Sequence, residues 1–231
     1  MEIRRLSLLE GSLNAAGVSV VIDVFRAFTC EPLLFHYGVK SITLEYDIEK
    51  CLAKEGDYIR IGENNEVPIE GFDLTNSPFL IMEQRTRFFS SRDIIHRTTS
   101  GVRGAINALD NSDTVLLASF VNAKATADLI KKIDPELVSI VAMGIRSVIK
   151  APEDEFCGDY IQSLLTGERY DHVRATHEIL AHETAQKFLR GDKQYLPKED
   201  PAICLQRDLF DFAIRAEKSM EGSVLAVKVS L

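Results

Sequence analysis

Short apolar runs, most of them rich in β-branched residues, recur along the chain and suit strands that are buried on both faces. The clearest run is "VSVVID" (18–23). Comparable runs lie at 40–46, 58–62, 92–99, 114–120, 136–144 and 223–229. Helical patterns separate several of them, and this alternation predicts an α/β protein with a mixed, largely parallel sheet and flanking helices.

Helical periodicity is strongest in the last third of the chain, which is expected to be mainly helical before a closing strand. The predicted helices cover 101–111, 122–133, 151–167, 171–190 and 205–218. Asn122 and Asp171 are placed to begin two of them, and Gly167 is placed to end another. We expect a single unit over residues 1–231, in which a weak boundary near residue 110 would divide two lobes.

The composition is ordinary for a soluble globular protein: 45% of the 231 residues are hydrophobic, 27% are charged, and the net charge is −8. No basic run stands out, which argues against binding to nucleic acid or to a membrane surface. No apolar run approaches the roughly 18 residues of a membrane span, and the N-terminus does not resemble a signal peptide.

The four cysteines are widely spaced and include no CxxC pair. This pattern indicates free, buried thiols in a reducing compartment. A cytoplasmic enzyme or binding protein is therefore expected. A homodimer is expected only because that symmetry is common among soluble enzymes.

Asp23 ends the first strong strand, at the edge where α/β proteins collect ligands. Judged by residue type alone, the same carboxylate is equally suited to capping the helix that follows. A phosphatase of the haloacid-dehalogenase type needs a second aspartate two residues later. Phe25 stands there, so that class is excluded.

The stretch "RTTSGVRGA" (97–105) follows a strand and opens a helix. Hydroxyl groups and free backbone N–H groups at such a junction favour an anion such as phosphate. An ordinary Ser/Thr cap is the simpler alternative. Neither a P-loop pattern nor a GxGxxG pattern is present, so nucleotide binding has no support.

The segment between Gly62 and Phe79 is acidic and irregular, because Pro68, Gly71 and Pro78 exclude a continuous helix. Its interspersed apolar residues argue against disorder. Ordered irregular loops of this length are usually functional. The segment is therefore a candidate site.

The stretch "PEDEF" (152–156) starts a predicted helix, where acids suit the helix dipole. Asp154 and Cys157 lie three residues apart on one face of that helix. Neighbouring acids raise the pKa of a thiol, so Cys157 is better suited to packing than to nucleophilic attack. His172, His177 and His182 spiral around a helix and are expected near the surface rather than on one metal ion.

Taken in order, the motifs resemble the 2-phosphosulfolactate phosphatase (ComB) family. The matching stretches are "VVIDVFRA" (20–27), "GE" (62–63), "EGFDLTNSP" (70–78), "TTSG" (98–101) and "EDEFC" (153–157). The resemblance implies a ComB-like α/β fold and a magnesium-dependent phosphatase. Its substrate would be 2-phospho-3-sulfolactate, a small anionic phosphate ester of coenzyme M biosynthesis.

The resemblance, together with the preference of Mg²⁺ for hard oxygen ligands, assigns roles to the matching residues. The expected metal ligands are Asp23, Glu63 and Asp73, with Glu70 and Asp154 in reserve. The expected catalytic group is Asp23, Arg26, Asp73, Asn76 and Ser77. The expected substrate-binding group is Thr98, Thr99, Ser100, Gly101 and Asp154.

Three positions depart from the family pattern. Asn64 stands where an arginine usually follows Gly-Glu, and Ser100 and Val102 stand where asparagine and threonine usually flank the glycine. Asparagine cannot replace the charge or the bidentate geometry of arginine at an anion site. A phosphatase for another hydroxy-acid phosphate and a non-catalytic anion-binding homologue therefore stay open as alternatives.

Overall fold

The computed structural model describes residues 1–231. Its strands are β1 Glu2–Ser7, β2 Gly17–Ile22, β3 Ser41–Leu44, β4 Tyr58–Gly62, β5 Asp93–Arg97, β6 Ser112–Ala118, β7 Leu137–Ala142, β8 Phe212–Lys218 and β9 Val224–Ser230. Its helices are α1 Leu8–Leu13, α2 Ala27–His36, α3 Ile48–Ala53, α4 Pro78–Met82, α5 Thr86–Phe89, α6 Gly101–Ala108, α7 Ala123–Ile133, α8 Pro152–Thr166, α9 His172–Ala181, α10 Glu183–Leu189 and α11 Asp200–Cys204.

All nine strands belong to one sheet, in the order β1-β7-β2-β6-β8-β9-β3-β5-β4. Strands β1, β7, β2 and β6 are parallel to one another, and so are β3, β5 and β4. The antiparallel β8–β9 hairpin joins these groups by pairing with β6 and with β3. The predicted mixed, largely parallel sheet is confirmed.

Both faces of the sheet are covered, as the continuous apolar strands predict. Along β2, Val21 contributes to one hydrophobic cluster, whereas Val20 and Ile22 contribute to the other. This alternation follows from the two-residue period of a strand. Helices α2 and α6 supply the first cluster with residues such as Phe28 and Val102, and α8 supplies the second.

Two of the predicted helices are wrong in part. The segment predicted as a helix over 205–218 contains strand β8, in which Ile214 and Ala216 are buried while Arg215 is half-buried. Pairing with β6 and β9 decides this structure, because a strand between two neighbours satisfies every backbone group. The helix predicted over 171–190 is interrupted at His182, whose extended backbone ends α9 and caps α10.

The cysteine prediction is confirmed, since all four cysteines are free and buried. None of the helices combines the length and the apolar character that a membrane crossing demands. The division into one unit or two lobes near residue 110 stays a prediction.

Candidate active site

One pocket collects residues from the ends of four strands and from three helices. It is a solvent-open cleft with about 570 Å³ of empty space. Its lining is mostly polar and comprises Asp23, Phe25, Arg26, Ala27, Glu63, Asn65, Glu66, Asn76, Thr98, Thr99, Ser100, Gly144, Ile145, Arg146, Glu153, Asp154, Lys187 and Phe188.

The strands that reach this pocket come from both parallel groups. Strands β2 and β7 lead into Asp23 and Gly144, whereas β4 and β5 lead into Glu63 and Thr98. Pairing through the β8–β9 hairpin gives the two groups opposite directions in the sheet. The twist that accumulates from strand to strand allows their carboxyl ends to reach the same place.

Asp23 is 7% exposed and accepts hydrogen bonds at both carboxylate oxygens. Oδ2 accepts from the backbone N–H of Gly101 at 2.8 Å, and Oδ1 accepts from that of Ala27 at 3.4 Å. A Cβ at position 101 would lie 2.7 Å from Oδ2, so this close approach requires glycine. Burial, followed by the charge of Glu63, raises the pKa of Asp23 to about 6.

Glu63 follows β4 and is held by the loop that opens α6. Its Oε1 accepts from the backbone N–H of Thr99 at 2.6 Å, and its Oε2 accepts from the Thr99 hydroxyl at 2.9 Å. The backbone N–H of Glu66 also donates to Oε2. The Thr99 N–H is therefore occupied by a protein carboxylate.

Asp154 joins the loops that follow β2 and β7. Its Oδ1 accepts from the backbone N–H of Val24 at 2.8 Å, and its Oδ2 accepts from that of Gly144 at 2.7 Å. Burial, and then the charges of Asp23 and Glu153, raise the pKa of Asp154 well above its ordinary value. These two contacts make Asp154 a cross-link between the two loops at the wall of the pocket, which it also lines.

Glu153 precedes Asp154 in the first turn of α8 and is 4% exposed. Its Oε2 accepts from the hydroxyl of Thr184 at 2.8 Å. Burial raises the pKa of Glu153 to about 7, while the Thr184 hydrogen bond and the charge of Lys187 act in the opposite direction.

Arg26 lines the pocket, but its guanidinium group is already paired. Nη1 lies 2.8 Å from Asp200 Oδ2 and 3.0 Å from the carbonyl oxygen of Tyr195. Both members of the Arg26–Asp200 pair are almost fully buried. The guanidinium also lies over the ring of Phe188, 5.2 Å from its centroid.

Ser77 lies outside the pocket and is fully buried. Its hydroxyl donates to Asp200 Oδ1 at 2.8 Å and accepts from the backbone N–H of Leu80, which caps α4. The backbone N–H of Phe79 donates to the same Asp200 oxygen at 3.0 Å. Ser77 therefore holds the loop in place and does not face a ligand.

Asn76 does reach the pocket and is 3% exposed. Its Oδ1 lies 2.8 Å from Nε2 of the buried His96.

The four residues of the "TTSG" stretch have different partners. The Thr98 hydroxyl accepts from the backbone N–H of Val102 at 2.9 Å, as a Ser/Thr cap does. The N–H groups of Thr99 and Gly101 donate to Glu63 and Asp23. Ser100 lines the pocket and its hydroxyl makes no hydrogen bond inside the protein.

Asp73 and Glu70 are exposed and lie outside the pocket. Asp73 Oδ2 accepts from the backbone N–H of Arg60 at 2.8 Å, because residues 73 and 74 continue the sheet edge beside β4. The structure thus separates Asp73 from Asp23 and Glu63, the two carboxylates expected to share a metal ion with it.

Two of the three departures from the family pattern also fall outside the pocket. Asn64 is exposed and forms a turn with Val67, while Val102 is fully buried in the hydrophobic cluster under α6. Only Ser100 lines the pocket. The missing threonine at position 102 therefore removes no polar group from this site.

Two cations that the sequence analysis did not single out face the pocket. Arg146 is exposed, makes no ion pair, and lies on a tight turn after β7 in which Arg146 and Ser147 have left-handed backbone. Lys187 on α10 pairs with Glu66. Gly144 begins the turn at a φ of +65°, where a Cβ would lie 2.3 Å from the carbonyl oxygen of Ile149.

Comparison with known proteins shows which family the chain belongs to. The family model of 2-phosphosulpholactate phosphatase matches residues 5–219. A protein of Bacillus subtilis strain 168, named as a probable 2-phosphosulfolactate phosphatase, is 32% identical over 216 residues, which cover 91% of each chain. The chain belongs to the 2-phosphosulpholactate phosphatase family.

Two further relatives are also named as probable 2-phosphosulfolactate phosphatases. The protein of Cyanothece sp. strain PCC 7425 is 28% identical over 222 residues, covering 86% of this chain and 88% of its own. The protein of Clostridium perfringens strain 13 is 25% identical over 229 residues, covering 90% of each chain.

The donor atoms of the pocket fit a hard cation, although no preformed cage exists. Nowhere do three or more His, Cys, Asp or Glu side chains lie close enough together to hold one ion. Mg²⁺ is usually bound by one or two carboxylates together with substrate oxygens and water. Asp23 and Glu63 meet that requirement, since both line the pocket and their charges interact.

Arg146, Glu153 and Lys187 line the pocket, but the sequence had assigned them no role. Glu153 adjoins the selected Asp154, so the cluster of acids was its available signal. Arg146 and Lys187 belong to none of the matching motifs. Only the packing of α10 and of the turn after β7 brings them to the pocket.

The raised pKa of Asp23 predicts how stability depends on pH in metal-free solution. Folded Asp23 keeps its proton up to about pH 6, whereas an unfolded aspartate loses it near pH 4. The folded state binds more protons in between, so this group lowers the free energy of unfolding as pH rises from about 4 to about 6. The loss is at most about 1.4 kcal/mol per pH unit.

Asp23→Asn removes this dependence and should gain stability relative to the wild type across that range. Urea unfolding of both proteins in the presence of a chelator measures the difference. The exposed Glu49→Gln variant should run parallel to the wild type. A constant difference between Asp23→Asn and the wild type, or one of opposite slope, would contradict the raised pKa.

Proposed function

We propose that this protein is a magnesium-assisted phosphatase for a small phosphate monoester with further anionic groups. By family, its substrate is 2-phospho-3-sulfolactate, and its products are sulfolactate and phosphate, as in coenzyme M biosynthesis in the cytoplasm. The observation that carries the proposal is a single pocket in which buried carboxylates face the cations Arg146 and Lys187.

The cations account for substrate binding. Arg146 has no carboxylate partner, so its planar guanidinium is free to form two parallel hydrogen bonds with a carboxylate or sulfonate. Lys187 contributes a point charge that is shared with Glu66. Arg26 keeps its sequence-assigned place beside the substrate: Asp200 and Tyr195 occupy Nη1, while Nε and Nη2 make no hydrogen bond within the protein and are available to an anion.

The polar groups near α6 account for phosphate contacts. The Ser100 hydroxyl and the Asn76 Nδ2 group both line the pocket without a protein partner. They are positioned to donate hydrogen bonds to phosphoryl oxygens. Thr98, Thr99 and Gly101 support this wall, because their own donors and acceptors are used within the protein.

Asp23 and Glu63 are the residues that would hold Mg²⁺. When bound there, the ion would act as a Lewis acid and neutralise charge on the transferring phosphoryl group. The two carboxylates are kept in place by the N–H groups of Gly101 and Thr99. Asp154, which also lines the pocket, fixes the loop that carries Asp23 and so positions that carboxylate.

Asp23→Asn should abolish Mg²⁺-dependent phosphate release, because an amide cannot supply the charge that the ion requires. At neutral pH without a divalent ion the melting temperature should not fall, since asparagine still accepts from Gly101 N–H and the buried negative charge is gone. Phosphate release from 2-phospho-3-sulfolactate, together with thermal unfolding, measures both effects.

Asp73→Asn tests in the same assay whether Asp73 is a metal ligand, as the sequence predicts, or takes no part in the reaction, as its exposed position outside the pocket indicates. The exposed position predicts that this variant retains activity. Loss of activity in Asp73→Asn with an unchanged melting temperature would instead support Asp73 as a ligand of the metal ion. Absence of turnover by the wild type with any divalent ion, combined with phosphate binding, would favour the non-catalytic anion-binding alternative.

Arg146→Gln should lower kcat/KM for 2-phospho-3-sulfolactate by about 10- to 100-fold, as the loss of a charged hydrogen-bond partner does. The loss should be smaller for 2-phospholactate, which lacks the sulfonate. Lys150→Gln is the control, because Lys150 directly follows the same turn, is exposed, pairs with Glu155 and does not line the pocket. Equal losses on both substrates would show that Arg146 does not contact the sulfonate.

A further inference from the structure

A buried chain of three polar side chains runs from the hydrophobic core to the pocket. His96 lies at the end of β5 and is fully buried. Its Nδ1 is 2.9 Å from Oε1 of Glu31 on α2, and its Nε2 is 2.8 Å from Oδ1 of Asn76. Asn76 lines the pocket, whereas Glu31 and His96 do not.

Glu31 has no partner other than His96. The side chain is fully buried, and its second oxygen, Oε2, makes no hydrogen bond. Burial raises the pKa of Glu31, and the contact with His96 acts in the opposite direction. A carboxylate in such surroundings is tolerated only when paired or neutral.

This requirement determines which atom of His96 carries a proton. A pair without net charge is either carboxylate with imidazolium or carboxylic acid with neutral imidazole. In the first case both ring nitrogens are protonated. In the second, the acid donates to Nδ1 and the ring proton lies on Nε2. Both arrangements therefore place an N–H on the side of Asn76. A ring proton on Nδ1 alone would leave either an uncompensated buried carboxylate or, with the acid proton on Oε2, a buried O–H donor without an acceptor, because Oε2 has no partner.

We infer that Glu31 and His96 are positioning residues that orient the Asn76 carboxamide so that its NH₂ group faces the pocket as a hydrogen-bond donor to the substrate phosphate. The Nε2–H of His96 donates to Asn76 Oδ1, which leaves Nδ2 on the opposite side. Nδ2 makes no hydrogen bond within the protein and is not among the buried unpaired atoms. The inference rests on the proposed phosphatase function.

Orientation matters because the two ends of the amide have opposite effects on an anion. A pocket already lined by Asp23, Glu63 and Glu153 repels phosphate, and an amide oxygen would add to that repulsion. The NH₂ group instead attracts a phosphoryl oxygen without needing a counter-charge. The buried Glu31–His96 pair thus determines which end of the neutral Asn76 amide faces the pocket.

Glu31→Gln tests the inference with little change in volume. Glutamine pairs with either tautomer of His96, so the amide of Asn76 is no longer held in one orientation. We expect kcat/KM for 2-phospho-3-sulfolactate to fall about 10- to 100-fold, the range for a lost hydrogen bond to a charged group. The affinity for inorganic phosphate should fall in the same direction.

Two comparisons distinguish positioning from simple structural damage. In an Asn76→Ala background, Glu31→Gln should cause no further loss, because the group that it orients is gone. His96→Gln should retain more activity than His96→Leu, since the glutamine amide can still donate to Asn76. Exposed Glu49→Gln is the control for the loss of a negative charge and should match the wild type.

The protonation of His96 is measured directly by long-range ¹H–¹⁵N correlation of the imidazole rings, with His96→Gln used to assign the signals. The inference predicts a protonated Nε2 in the wild type. An unprotonated Nε2, or equal kinetics and phosphate affinity for folded Glu31→Gln and the wild type, would overturn it.

Failure of the proposed function gives a different pattern of results. If the wild type hydrolyses no monoester but binds phosphate, the phosphatase proposal fails, and the affinity ratio between wild type and Glu31→Gln still decides the inference. If neither protein binds phosphate, the role of Asn76 as a donor to the substrate is overturned as well.

Discussion

The structure depends on carboxylates that are buried against backbone N–H groups where strands end. Asp23 accepts from Gly101, Glu63 accepts from Thr99, and Asp154 accepts from two further backbone groups. Each contact joins the end of one element to the beginning of another. The same contacts bring several carboxylates close together. Burial, and then repulsion between these carboxylates, raise the pKa values of Asp23 and Asp154.

The same carboxylates therefore both join elements of the fold and line the pocket. The N–H groups at the start of α6, which would suit a phosphate ion, instead hold protein carboxylates. In the proposed mechanism, substrate recognition would therefore depend on other pocket side chains, such as Arg146 and Ser100, and on a cation held by the carboxylates. A bound divalent ion would relieve the repulsion between Asp23 and Glu63, so it would contribute to both binding and folding.

The buried ion pair between Arg26 and Asp200 shapes another part of the pocket wall. Asp200 accepts from Arg26, from the Ser77 hydroxyl and from the backbone N–H of Phe79. These bonds hold the loop over residues 69–79 against α11 and keep Asn76 at the pocket. Removal of one partner from such a buried pair is strongly destabilising, because it leaves the other charge uncompensated. The polar loop is thus ordered by one aspartate that lies more than a hundred residues later in the chain.

The local sequence pattern was enough to predict the elements that are continuously apolar or that have clear capping residues. The β-branched run before Asp23 and the Pro and Gly boundaries of α8 predicted their elements within a residue or two. Strand β8 was missed because its pairing with two strands outweighs a helix-like spacing. Val102 and Asp73 show the same limit at the site, since adjacency in a motif does not reveal which side of a helix or sheet edge a side chain takes.

His96 illustrates that limit most clearly. Its sequence neighbours identify a strand end, but its partners Glu31 and Asn76 come from a helix and a loop. Glu31 stands within an apolar stretch, where a lone acid signals a buried polar contact without naming the partner. Only the three-dimensional packing of α2 against β5 completes that pairing.

The most direct test of the account is a crystal structure with Mn²⁺, used as an anomalous scatterer in place of Mg²⁺, and the product sulfolactate. The account predicts anomalous density bonded to oxygens of Asp23 and Glu63, with the sulfonate on Arg146. An ion bound instead by Asp73 or Glu70, or product bound outside this pocket, would contradict it.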